Sequence, residues 1–124
     1  MKLKHVFYLQ AAALLLAATL WIFAPAAFYE SSGLQTADPA WLLFGRNTGA
    51  LLFGFLLIAF FVARAPDSPL RRQLRLSFFL LHLVSLSIYV VVWLLARVTN
   101  PMAIGLHVVF TLAFGYFQFF GSET

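Results

Sequence analysis

The chain contains no cysteine, which excludes thiolate metal sites, disulfide exchange and a thiol nucleophile. Charge is nearly as scarce. Only 10% of the 124 residues are charged, against roughly 25% in an ordinary soluble domain. Acidic residues are the rarest of these: Glu30, Asp38, Asp67 and Glu123 make up the whole set, all in loops or the tail. No phosphate-binding loop and no His-x-x-x-His ligand spacing can be found. No nucleophile stands beside an aligned base, so nothing in the chain argues for an enzyme.

What is abundant is apolar. The sequence is 63% hydrophobic, includes 15 phenylalanines and has a mean hydropathy of +0.93. A hydrocarbon core of about 30 Å needs roughly 20 apolar residues of helix. Four such runs are present, about 5–28, 41–64, 73–96 and 101–120, and together they predict an all-α, four-helix transmembrane bundle in one domain. Glu30-Ser-Ser-Gly33 and Asp38-Pro39 frame an outer loop over 29–40. Pro66-Asp-Ser-Pro69 makes the second loop and Thr99-Asn100-Pro101 a tight third turn. The first run follows Lys2 and Lys4 and ends near small residues, as a signal peptide does. Its apolar stretch is longer than the usual 7 to 15 residues of such a peptide, and three further spans follow, so a retained helix is expected.

The net charge of +4 would suit nucleic acid, but the basic residues sit at the ends of apolar runs, where membrane topology puts them. No nucleic-acid partner is expected. Lys2, Lys4, Arg64, Arg71, Arg72 and Arg75 fall at the N-terminus and second loop, against Arg46 and Arg97 at the opposite face. That bias places both termini in the cytoplasm of a bacterium whose inner membrane holds the protein. Trp21, Tyr29, Trp41 and Trp93 then lie towards the outer interface, where amphipathic rings prefer to sit.

Arg46 lies in the apolar run Trp41–Phe61. At 1.5 Å per residue it is about 7 Å below the outer end of a helix starting near Trp41, shallow enough for its guanidinium to snorkel to the headgroups. Alternatively it turns inward to Glu30 or Asp38, or holds an anionic ligand. Its neighbours are small: Gly45 with Gly49, and Ala50 with Gly54, form two small-xxx-small pairs that allow close helix approach.

The third and fourth helices carry polar faces. His82, Ser85 and Tyr89 share one face, and His107, Thr111 and Gln118 share another. In lipid such groups turn to the bundle interior, and interhelical hydrogen bonding is the simplest role, with Ser85 level with Thr111 and Arg75 level with Gln118. Tyr89 falls at nearly the depth of His107, and Arg46 near that level. The candidate pocket is therefore Arg46, Tyr89 and His107, closed by Glu30 or Asp38. His82 and His107 also raise a haem or chlorophyll-type pigment. Their expected depths differ by roughly 9 Å at 1.5 Å per residue, which disfavours a bis-histidine haem and leaves a single-histidine ligand.

Two small four-helix transporter families are disfavoured. The multidrug exporters depend on a glutamate in their first helix, where this chain offers only Gln10 and Thr19, and the Thr-Phe-Ser-Thr break of the fluoride channels is absent. The stretch from Ile22 to Arg64 instead resembles a bacterial group of small four-helix membrane proteins, the DUF4345-like proteins. That group shows an aromatic-x-x-Pro near the first helix end, a Gly-Leu in the outer loop and an Arg-x-x-Gly-Ala at the head of helix two. Here these are Phe23 and Pro25 (one residue closer), Gly33-Leu34, and Arg46, Gly49 and Ala50, with His82 in helix three. The resemblance covers about half the chain. It implies the fold and brings no activity with it.

Three functions remain open at this level. The first is a non-catalytic accessory or scaffold subunit packing against a larger membrane complex, without cofactor. The second is a small-molecule or lipid-binding membrane protein using the outer-half pocket. The third is a pigment or haem protein using His82 or His107.

Overall fold

The computed structural model describes residues 2–31, 33, 38–96 and 100–121. Five helices account for nearly all of them: α1 (Leu3–Phe23), α2 (Pro25–Ser31), α3 (Pro39–Arg64), α4 (Pro69–Ala96) and α5 (Pro101–Phe119). Among the described residues there is no strand. Helices α1, α3, α4 and α5 are each long and apolar enough to cross a membrane, so the chain is an all-α four-helix integral membrane protein.

Proline sets most of the boundaries. Asp38 and Asn100 cap α3 and α5, their side chains accepting from the Ala40 and Ala103 amides at 2.8 and 3.0 Å. Ser68 Oγ accepts from the Arg71 amide at 3.2 Å ahead of α4. In each case a proline follows the capping residue, where its missing N–H costs nothing and its fixed φ suits the first turn. These starts at Pro39 and Pro69 precede the expected ones near Trp41 and Gln73.

The first span also differs from expectation. It begins at Leu3 and stops at Phe23, not near Phe28, because Pro25 cannot donate to the carbonyl four residues back and disfavours a helical Ala24 before it. Ala24 sits at φ −135, ψ 51 and the chain re-enters helix at Pro25. The expected outer loop thus opens with a short helix, α2. Leu34 and the rest of 34–37, Arg97, Thr99 and Glu123 lie outside the described residues.

Helix α1 packs chiefly on α3, and α4 chiefly on α5, giving two helical pairs that meet mainly through α1 and α5. The α1–α3 contact is close because Gly45 and Gly49 face α1. A Cβ on Gly49 would come within 2.6 Å of Ile22 Cγ1 and 2.9 Å of the Ala18 carbonyl oxygen. The second small pair does not act this way. Ala50 is exposed and a Cβ on Gly54 would meet nothing within 4 Å.

The space between the pairs is filled unevenly. Towards the end that carries both termini, Phe7, Phe78, Phe110, Phe114 and Phe117 are buried together, with Phe7 and Phe114 rings 5.1 Å apart and Phe78 stacked on Phe114 at 5.6 Å. At that end Arg75, though buried, donates from Nε to Gln118 Oε1 at 2.8 Å, the pairing that their matched depth predicts. Towards the loop end a gap remains, with Ala13, Ala17 and Ala103 among the residues that face it. There, Trp21, Phe28, Tyr29, Trp41 and Phe44 form a chain of ring contacts at 4.2 to 6.3 Å, tied by a 3.1 Å hydrogen bond from Tyr29 Oη to the Trp41 carbonyl.

Candidate functional site: a cavity above a histidine pair

The boundary between the packed half and the open half is polar. Leu3, Phe7, Gln10 and Leu14 lie on the buried stripe of α1, so Gln10 is carried into the core with only 2% of its surface exposed. Its Oε1 lies 2.9 Å from His82 Nε2 of α4. The other nitrogen of that ring, Nδ1, lies 2.8 Å from His107 Nδ1 of α5. One amide and two imidazoles therefore form a continuous hydrogen-bonded chain across three helices. Beneath it the His82 ring stacks on Phe110 at 5.1 Å and Phe114 at 6.1 Å, which fixes the ring plane.

This corrects the expected depth gap between the histidines. Starting α4 at Pro69 moves its midpoint to between His82 and Leu83. The axial offset then falls to about 5 Å at 1.5 Å per residue, a distance that two imidazole side chains span by reaching towards each other. The pair is not a metal clamp. Nitrogens on either side of a metal stand about 4 Å apart, twice a bond of about 2 Å, and here they are in direct hydrogen-bond contact. Both nitrogens of His82 are engaged, so His107 Nε2 is the one lone pair of the two rings left for an axial ligand. Among the described residues no group of three or more His, Asp or Glu side chains could hold a metal ion.

Above the chain lies a partly open cavity of about 360 Å³ lined by α1, α2, α3, α4 and α5. Gln10, His82 and His107 form its polar floor, and Tyr89 and Thr48 supply the other polar groups. Thr48 is not free to turn inward, because its hydroxyl donates to the Phe44 carbonyl at 3.0 Å. The Tyr89 ring lies 5.5 Å from that of His107. The remaining wall is aliphatic and aromatic, with Leu16, Met102 and Leu106 partly exposed at the rim.

The candidate pocket expected from the sequence is only partly assembled. Tyr89 and His107 come together. Arg46 does not line the cavity. Gly45 and Gly49 point at α1, and a step of one residue from Gly45 rotates Arg46 about 100° off that stripe, leaving it exposed and making no hydrogen bond or ion pair with the described residues. It lies seven residues into α3, about 10 Å along the axis, within snorkelling reach of the helix end. Glu30 is exposed at the end of α2, and Asp38 serves as the α3 cap. Neither closes the cavity. Ser85 and Thr111 do not bond to one another either: Thr111 Oγ1 is buried with no hydrogen-bond partner among the described residues.

Gln10 is the site residue that sequence reasoning missed. The available signal was its place on the Leu3-Phe7-Leu14 stripe, since a polar group on a buried stripe in lipid must find its partner inside. No family model, no curated protein and no solved structure matches the chain, so the site stands on its own geometry.

Proposed function

We propose that this integral membrane protein binds a small, largely apolar molecule in the cavity between its two helical pairs. The observation that carries this reading is the cavity itself: about 360 Å³, mostly apolar-walled, with Gln10, His82 and His107 together on one side of it. Ligand sites are typically concave, of ~300–1,000 Å³, and mostly apolar with a small number of placed polar groups. For scale, an apolar cavity of ~150 Å³ takes up benzene, so this one suits a molecule roughly twice that size. The bias of Lys and Arg to the end bearing the termini supports N-in, C-in insertion in a bacterial inner membrane, with the cavity in the outer half. The likeness of residues 22–64 to the DUF4345-like proteins supports grouping it with them.

The test uses 1-bromo-4-butylbenzene, whose bromine quenches tryptophan, and protein in lipid nanodiscs. Trp21 lines the cavity, and a Trp41→Phe/Trp93→Phe background isolates its emission. Quenching should saturate with probe concentration, and should become weak and linear, as for simple partition into lipid, when Ala17→Phe fills the cavity. Linear quenching in both proteins would refute the reading.

A second reading, an accessory subunit beside a larger complex, is favoured by one face of α4. Leu80, Val84, Ile88, Val91 and Leu95 form an exposed stripe along its length, suited to another helix. Purification from native membranes in mild detergent should then bring down a stoichiometric partner, and substituting Val84 and Ile88 by Trp should release it.

A further inference from the structure

The hydrogen-bonded chain beneath the cavity has a direction, and that direction specifies which polar group a ligand must bring. Gln10 presents its carbonyl oxygen to His82. A carbonyl oxygen only accepts, so His82 Nε2 carries a proton. In a neutral imidazole one nitrogen donates and the other accepts, so His82 Nδ1 is the acceptor of the 2.8 Å contact with His107. The donor must then be His107 Nδ1–H, and His107 Nε2 is left with a bare lone pair. That nitrogen has no hydrogen-bond partner among the described residues, and its ring lines the cavity. Protonating it would place a cation in an apolar chamber that has no acidic residue in its wall, which is costly.

From this we infer that the cavity selects a neutral ligand bearing a hydroxyl group on an apolar body, a phenol or a comparable alcohol, with the hydroxyl donating to His107 Nε2. Tyr89 lines the wall, has no hydrogen-bond partner among the described residues, and carries a hydroxyl that both donates and accepts. It can donate to the ligand oxygen while His107 Nε2 accepts the hydrogen bond of the ligand hydroxyl. An ether or ketone of the same shape supplies no donor and leaves the lone pair unsatisfied. An aliphatic amine would arrive charged. Gln10 and His82 act as positioning residues: their polar atoms are taken up by the hydrogen-bonded chain, and they set the protonation pattern that the ligand meets at His107. The inference rests on the binding reading above and adds the chemistry of the ligand to it.

The experiment compares 4-butylphenol, 4-butylanisole and butylbenzene as competitors of the bromo probe in nanodiscs, each corrected for its own partition into lipid. A neutral hydrogen bond is worth about 0.5–1.5 kcal/mol, so the phenol should compete about fivefold more tightly than the anisole. In His107→Phe the two should become equal while butylbenzene still competes. A second measurement needs no variant. The protein has three histidines, and ¹⁵N spectra of the labelled protein should show His107 protonated at Nδ1 and His82 at Nε2. Phenol and anisole of equal strength in the unmodified protein would overturn the inference and leave the cavity reading intact. So would a preference for the anisole, or spectra with both tautomers reversed, as they would be with the Gln10 amide turned over. If no compound displaces the probe, the binding reading falls with it.

Discussion

Two glycines five residues apart on α3 should respond oppositely to the same substitution. In Gly49→Ala the new Cβ would meet Ile22 Cγ1 at 2.6 Å, and the Ala18 carbonyl oxygen and Ile22 amide nitrogen at 2.9 Å each. Two of these three are backbone atoms, so a side-chain rotation cannot relieve the contact and α1 itself must move away from α3. Overpacking of this kind costs about 1–3 kcal/mol. Alanine recovers part of it, because glycine in a helix interior is worse by roughly 0.5–1 kcal/mol. The net loss should be about 1–2 kcal/mol. Around Gly54 a Cβ would meet nothing within 4 Å, so Gly54→Ala keeps the gain alone. The two variants should therefore differ by about 2 kcal/mol, a factor of about 30 in the folded-to-unfolded ratio. Titration of SDS into protein held in mild-detergent micelles, followed by tryptophan fluorescence, measures this directly, since Trp21 lies at the contact with Gly45. Gly49→Ala as stable as the unmodified protein would refute the close-approach argument, and so would a comparable loss in Gly54→Ala.

Thr111→Val removes a buried hydroxyl that has no partner among the described residues and preserves its shape. An unsatisfied buried polar group costs about 1–3 kcal/mol, so the variant should be at least as stable as the parent in the same SDS titration; a clear loss would mean that the hydroxyl is bonded. Tyr29→Phe deletes the 3.1 Å hydrogen bond to the Trp41 carbonyl and leaves the ring contacts with Trp21 and Trp41 in place. A loss of about 0.5–1.5 kcal/mol is expected, with faster limited proteolysis between α2 and α3 as the local readout.

Local rules explain why so much of the architecture is legible in the chain. Span number follows from apolar run length, and the entries to α3 and α5 follow from Asp38-Pro39 and Asn100-Pro101, where cap and proline are adjacent. The same logic applied to Pro25 ends α1 at Phe23; the apolar run continuing to Phe28 hides the break, because hydropathy does not register a missing N–H. The Arg75–Gln118 contact is legible because the two residues sit at matched depth on neighbouring helices of one hairpin, with Gln118 on the polar face of α5. The Arg46 cluster is not, because depth says nothing about azimuth: Gly45 and Gly49 claim the α1-facing stripe and turn Arg46 away.

What the sequence by itself determined, then, is the solvent, the number of spanning helices, their polar faces and the small-residue stripe of α3. These are properties of single segments, set by composition and by the 3.6-residue period. The tertiary structure alone decided that Gln10, from a helix whose composition is almost uniformly apolar, completes the His82–His107 pair, and that the bundle is filled with phenylalanine below that pair and left hollow above it. Both depend on which side chains from different helices meet at one level. Helix register and the mutual fit of side-chain volumes govern that meeting, and no single segment encodes them.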